Sequence, residues 1–469
     1  MKIEQIYTGC LAQGAYYIES NGEAAIIDPL REVQQYIDKA AADNAQIKYI
    51  FETHFHADFV SGHVTLSQKT GAPIVYGPTA NPSFDAHIAT DGEVFKIGKL
   101  SLIALHTPGH TMESTTYLLR DENGKDHAIF SGDTLFLGDV GRPDLAQKAA
   151  HLTQEELAST LYHSLRTKIM PLADDVIVYP AHGAGSACGK NLSKETVGTL
   201  GDQKRTNYAL RPDMTVEEFV TEVTDGLLPP PIYFPENVRL NKEGYQNVEN
   251  IIANNKAFTP AEFKQAAAEA LILDVRDADS FAKQHIPGAI FIGIDGGFAP
   301  WVGSLITDIN QPIVLVTPEG REQETITRLS RVGYDNTLGY LQGGMQAWTA
   351  AGLETDSIQR ITANELETLM NNGEKSVIDV RKPGEYSSAH IANVPNLPLD
   401  FINEHIGDFP AQQTTYLHCA GGYRSMIAAS ILKARGFHNM IDVTGGFGKI
   451  KTTNLPIVSQ ECESSCATK

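Results

Sequence analysis

Four apolar, strand-like runs in the first half of the 469-residue chain end in histidine or aspartate. Glu52 leads into Thr53-His54-Phe55-His56-Ala57-Asp58; further on come Pro108-Gly109-His110, Ser131-Gly132-Asp133-Thr134 and Pro180-Ala181-His182-Gly183. His-x-His-x-Asp alternation at a strand end turns three potential ligands toward one side. Any one of these residues alone reads as a structural or solvated side chain. Four strand ends delivering them together point to a metal site at one edge of a sheet sandwich. A second reactive stretch lies near the C-terminus. Tyr416-Leu417-His418-Cys419 closes another apolar run, and Ala420-Gly421-Gly422-Tyr423-Arg424-Ser425 leads into a helical run at 426–435. A cysteine in a glycine-rich loop between strand and helix meets converging backbone N–H groups and a helix N-terminus, and Arg424 adds positive charge; all three stabilise a thiolate. A buried structural cysteine would explain neither the two glycines nor the arginine.

Short β-branched runs at 26–29, 47–51, 73–76, 100–105, 129–131 and 176–179 alternate with helical periodicity at 33–43 and 154–169, so residues 1–235 read as one α/β domain. Leu228-Pro229-Pro230-Pro231 opens a stretch with the composition of a connector, assigned to 236–257. An internal repeat follows. Ile272 to Arg276, Phe281 and His285-Ile286 recur 105 positions later as Val377 to Arg381, Tyr386 and His390-Ile391, and Gly343-Gly344-Met345 recurs 102 later as Gly445-Gly446-Phe447. Two copies of one α/β domain are therefore expected at 258–353 and 358–457, with a polar tail at 458–469. The smaller offset puts Thr317 opposite Cys419 and Glu322 opposite Arg424. With Pro318 removing an amide donor and Glu319 repelling anions, the first copy is expected to be inert, a scaffold spacing two active units.

The length suggests about three domains. A formal net charge of −20 argues against nucleic acid or an anionic membrane surface as partner. No apolar run approaches the ~18 residues of a membrane span, and the N-terminal stretch has no apolar segment of signal-peptide type. Five scattered cysteines (Cys10, Cys188, Cys419, Cys462, Cys466) do not make a disulfide framework, so a cytoplasmic protein with reduced thiols is expected.

The four strand-end motifs resemble the metallo-β-lactamase superfamily, over about the first half of the chain. That resemblance implies an αββα sandwich, and the resemblance of the repeat to rhodaneses, through the loop from Cys419 to Arg424, implies two α/β rhodanese domains after it. Dinuclear members carry histidine directly after the aspartate of the first motif; here that position is Phe59, which favours a single metal. Persulfide dioxygenases of this fold use two histidines and one aspartate, which map onto His54, His110 and Asp133. That facial triad suits Fe(II), one per chain, with open positions for O2. His56, Asp58 and His182 then stand behind the ligands, with His56 as a fourth ligand left open. Arg142, nine residues after Asp133, matches an arginine that meets the substrate thiol's carboxylate; a structural ion pair is the alternative. The loop after His182 lacks the tyrosine of glutathione-using members and holds Cys188, either a buried small residue or an accessory thiol for sulfane sulfur.

The C-terminal repeat resembles rhodaneses through Cys-x4-Arg, which implies that Cys419 carries a persulfide sulfur while Gly421, Gly422, Tyr423 and Arg424 hold an anionic acceptor. The joint expectation is a bifunctional enzyme that oxidises a low-molecular-weight persulfide with O2 and exchanges sulfur with sulfite or thiosulfate. The superfamily further implies a homo-oligomer. The rival expectations are a zinc thioesterase of the glyoxalase II type and a sulfur-relay protein without oxygenase activity.

Overall fold

The computed structural model describes residues 1–147 and 151–459, so Cys462 and Cys466 lie outside the described residues. Among the described residues, Met1–Asn250 with Leu329–Tyr334 form one compact unit, and Ile251–Arg328 with Asp335–Ser459 form a second.

The first unit is built on two six-stranded sheets. One runs in the order Lys2–Thr8, Gln13–Ser20, Glu23–Ile27, Gln46–Phe51, Ile74–Tyr76, His87–Ile88, antiparallel up to Glu23–Ile27 and parallel beyond. The other runs Gly198–Thr199, Ile177–Pro180, Asp126–Gly132, Thr115–Arg120, Leu100–His106, Val94–Ile97, parallel only where Asp126–Gly132 meets Ile177–Pro180. Alternate residues of the two inner faces, among them Tyr16, Ile18, Phe51, Phe95, Leu102, Tyr117 and Phe130, form the central core. Their neighbours face outward onto helices. Ile26 and Ile50 pack with Tyr36 and Leu66 of the Gln34–Ala42 and His63–Thr70 helices; Ile103, Leu118 and Ile129 pack with Leu161 and Phe219 of the Gln154–Ser164 and Val216–Thr224 helices. Burial on both faces explains why these strands read as near-continuous apolar runs rather than clean alternations. Thr153 with Glu156, and Thr215 with Glu218, form the capping boxes that start the last two helices.

The stretch assigned to a connector is helical. Phe234–Glu243 begins with Pro235 in its first turn, and Val248–Asn254 follows. Proline at a first turn is compatible with helix because the N–H it lacks has no intrahelical acceptor there. Most of this segment belongs to the compact unit that contains the sandwich.

The second unit contains the repeat. In the first copy a parallel sheet runs Lys256–Phe258, Thr337–Leu341, Ile313–Val316, Leu271–Asp274, Ile290–Phe291. In the second, Arg360–Ile361, Met440–Val443, Thr415–His418 and Val377–Asp379 give the same order, and Asn396 bridges Asp379 where the fifth strand would lie. None of the described helices is long and apolar enough to cross a membrane.

Candidate metal centre and cysteine loop

Each metal-site candidate stands just beyond a strand: His54 after Gln46–Phe51, His110 after Leu100–His106, Asp133 after Asp126–Gly132, His182 after Ile177–Pro180. The first strand belongs to one sheet and the other three to its partner, so the group straddles one edge of the sandwich. Gly132 makes the approach close. Its φ is +51°, and a Cβ there would stand 2.6 Å from the Thr53 side chain.

Three imidazoles are tethered through Nδ1: His110 donates to the Arg142 carbonyl at 2.8 Å, His182 to the Ala12 carbonyl at 3.2 Å, and His54 meets Thr53 Oγ1 at 3.0 Å. Thr53 Oγ1 in turn donates to Asp28 Oδ2 at 2.9 Å, so the proton between it and His54 belongs to the imidazole. A tether on Nδ1 fixes the tautomer that leaves Nε2 with its lone pair. All three Nε2 atoms face the Asp133 carboxylate: His54 and His110 lie 3.9 and 3.4 Å from Oδ2, and His182 lies 3.5 Å from Oδ1. Both Asp133 oxygens, His182 Nε2 and Asp58 Oδ1 are buried without a hydrogen-bond partner. Lone pairs turned on a buried carboxylate repel it, and unpaired buried acceptors cost about 1–3 kcal/mol each. A cation among them removes both penalties, so the donor set fits a metal. His54, His110 and Asp133 are one such buried group, with candidate ligand atoms within 4.8 Å of one another. Burial, then the nearby His56, His110 and His182, hold the His54 pKa well below the usual histidine range, which keeps its lone pair free at neutral pH.

His56 is placed differently. Its Nε2 stands 3.1 Å from Asp28 Oδ1 and 3.5 Å from Glu52 Oε2, while its Nδ1 has no hydrogen-bond partner. Burial opposes charge on this ring, but Asp28 and then Glu52 hold its pKa well above the usual value. Phe59 is fully buried with its ring 4.4 Å from that of His56. Asp58 and His182 form another buried group with Cys188, whose thiol pKa is pushed well up by burial and by Asp58 and Asp133 beside it. That grouping escaped the sequence reading, because Cys188 sits in a loop with no periodicity to place it. Asn241 escaped it too. From the Phe234–Glu243 helix its side chain donates to the carbonyls of His56 and Phe59, each at 2.8 Å, and accepts from Ser61 N at 2.8 Å, which braces the ligand loop. Pro235 followed by Glu236 was the clue to a helix start there. Arg142 is paired: its guanidinium meets Asp144 at 2.6 and 2.7 Å and the Leu228 carbonyl at 2.6 Å, the ion-pair alternative.

In the second unit Cys419 is buried, and its Sγ accepts from Gly422 N at 3.1 Å with Ser425 Oγ at 3.5 Å. Gly422, at φ +103°, caps the Tyr423–Ala434 helix. Phe447 N and Gly448 N bind the Cys419 and Ala420 carbonyls at 2.6 and 2.9 Å. Arg424 forms a two-pronged pair with Glu385, at 2.5 and 2.8 Å, which lowers the Glu385 pKa. The Tyr423 hydroxyl donates to the Gly293 carbonyl of the first copy at 2.7 Å. In that copy Glu322 takes the place of an anion: its Oε1 accepts from Gly320 N at 3.2 Å and from Thr317 Oγ1 at 3.3 Å.

The metallo-beta-lactamase superfamily pattern matches residues 8–182, and the rhodanese-like domain pattern matches 259–351 and 362–453. The mitochondrial persulfide dioxygenase ETHE1 of Homo sapiens is 31% identical over 45% of this chain and 74% of its own length. The cytoplasmic hydroxyacylglutathione hydrolase of Arabidopsis thaliana is 30% identical over 39% and 67%. A crystal structure described as a metallo-beta-lactamase from Staphylococcus aureus covers 73% of this chain and 98% of its own, with TM-score 0.64 and 30% identity.

Proposed function

The chain belongs to the metallo-beta-lactamase superfamily and carries two rhodanese-like domains, and on that premise we propose that it oxidises a low-molecular-weight persulfide with O2 and transfers sulfur at Cys419. The observation that carries the first half is the convergence of the His54 and His110 lone pairs on a partnerless Asp133 carboxylate. Two histidines and one carboxylate leave coordination positions open, the arrangement that suits Fe(II). Such an ion supplies the one-electron chemistry that lets O2 react with a persulfide sulfur. The balance is RSSH + O2 + H2O → RSH + SO3²⁻ + 2 H⁺. The chain's own residues hold the donor set: Thr53, Arg142 O and Ala12 O fix the tautomers, and the sandwich excludes bulk water from a site whose side chains are all buried.

At Cys419 the thiol takes the outer sulfur of a second persulfide, Cys419–SH + RSSH → Cys419–SSH + RSH. Sulfite then removes it, Cys419–SSH + SO3²⁻ → Cys419–SH + S2O3²⁻. The Gly422 amide stabilises the sulfur anion formed at each return step.

One observation favours a second reading. Asp58, His182 and Cys188 cluster beside Asp133, and a second cation there would suit a zinc thioesterase. Metal analysis of anaerobically purified protein, with oxygen uptake measured over several persulfides, separates the two. One iron per chain and persulfide-dependent uptake are expected; two activity-supporting zinc ions and no uptake would establish the thioesterase.

A further inference from the structure

The first rhodanese copy has lost its nucleophile, yet the second copy's cysteine loop is attached to it. Tyr423 is the first residue of the helix that follows the loop and the neighbour of Arg424. Its ring is tilted 72° to Phe291 at 5.9 Å between centroids, and its hydroxyl donates to Gly293 O at 2.7 Å. Room for the ring exists only because residue 296 is glycine: a Cβ there would fall 2.2 Å from Tyr423 Cζ. Further along the same helix, Ser430 Oγ accepts from Phe291 N at 2.9 Å, on the outermost strand of the first copy's sheet. A second connection runs through side chains. Arg360 is ion-paired with Asp279 of the first copy and, at 2.9 Å, with buried Asp442. Asp442 accepts from Ser425 Oγ at 2.6 Å, and that hydroxyl is 3.5 Å from Cys419 Sγ.

We propose that the inert copy is a positioning element for the Cys419 loop, with Gly293, Gly296 and Phe291 forming a socket that locks Tyr423 and thereby sets the Gly422 amide and Arg424 around the sulfur. Tyr423 and Gly296 are positioning residues. They act on Cys419 through the start of the helix, where a displacement of about 1 Å is enough to weaken a charge-stabilising amide. The inference rests on the reading of Cys419 as the sulfur carrier, but the lock itself does not need that reading.

The experiment uses the full chain. The rate at which iodoacetamide alkylates Cys419 is followed against pH by mass spectrometry of the peptide that contains it, beside sulfurtransferase activity and iron content. Gly296→Ala should move the alkylation profile up by about one pH unit, the loss of one hydrogen bond to the thiolate. It should lower sulfur transfer by about tenfold to a hundredfold and leave iron unchanged. In a Tyr423→Ala background, which lacks the ring, the same substitution should change nothing further. Tyr423→Phe, which keeps the ring and removes only the bond to Gly293, should move the profile in the same direction by less. Alkylation profiles that do not move in Gly296→Ala and Tyr423→Phe would overturn the proposal. So would a Gly296→Ala effect of equal size without the Tyr423 ring. A wild-type protein whose Cys419 transfers no sulfur would refute the sulfur-carrier reading and leave the alkylation result to judge the lock.

Discussion

At the centre of the metal group, Asp133 is the residue whose loss the site can least absorb. Its two oxygens are faced by three imidazole Nε2 atoms at 3.4, 3.5 and 3.9 Å, and neither oxygen has a hydrogen-bond partner among the described residues. Asp133→Ala removes the only carboxylate of the His54–His110–Asp133 group and leaves a two-histidine site. Metal content, read by elemental analysis, should fall to background and persulfide-dependent oxygen uptake should vanish with it. Retained iron would mean that Asp58 and His182, whose Nε2 lies 3.4 Å from Asp58 Oδ2, supply enough donors without it. Gly132 belongs to the same argument, because no side chain fits between that residue and Thr53. Arg142 shows how an isolated charged residue resists reading from sequence. Its spacing after Asp133 matched a substrate-binding arginine, and the structure adds an ion pair with Asp144, two residues on, that the spacing alone did not decide.

Among elements, the Phe234–Glu243 helix does more for the centre than its composition suggested. Asn241 closes three hydrogen bonds on the His56–Ser61 loop from a fully buried position. Asn241→Ala should leave the loop's carbonyls and the Ser61 amide unpaired and weaken metal binding at the proposed site by about tenfold to a hundredfold, as losses of groups that brace metal ligands typically do. Competition with a chelator measures it; an unchanged affinity would make the helix a bystander. The first copy's loop yields a second prediction. Thr317→Cys in a Cys419→Ser background should restore no sulfur transfer, since Glu322 already occupies the Gly320 amide and repels an anion. Substantial thiosulfate formation by that variant would show the loop is competent. The repeat was legible because its spacing survives in the fold. Asp274 and Asp379 end matching strands, and each pairs with the arginine two residues on; Phe281 stacks on His285 as Tyr386 stacks on His390. The convergence of His54, His110 and Asp133 was legible because strand ends bring such side chains together at fixed spacing. The contact of Tyr423 with Gly293, the role of Asn241 and the Cys188 grouping were not. Each depends on a partner distant in sequence, and no periodicity records which side chain a loop or helix will meet.

For the whole molecule, the two sets of chemistry lie in separate compact units, and no residue of either is shared. Oxygenation should therefore survive the loss of sulfur transfer, while the final product should not. Under the proposed function sulfite is the product of the first reaction and the acceptor of the second, so a molecule carrying both would consume its own product. Wild-type protein given persulfide and O2 should release mainly thiosulfate. Cys419→Ser, whose hydroxyl cannot hold a transferable sulfur, should consume oxygen at nearly the wild-type rate and release sulfite instead. Arg424→Ala keeps the nucleophile and should fall between the two, because it removes the cation that pairs with Glu385 and leaves that carboxylate's charge uncompensated beside the Cys419 loop. Products are separated by chromatography after thiol derivatisation, at matched oxygen consumption. If Cys419→Ser still makes thiosulfate in the wild-type ratio, sulfur moves through another thiol. Cys188, buried beside Asp58 and His182, is then the residue to replace next, and Cys188→Ser should abolish what remains.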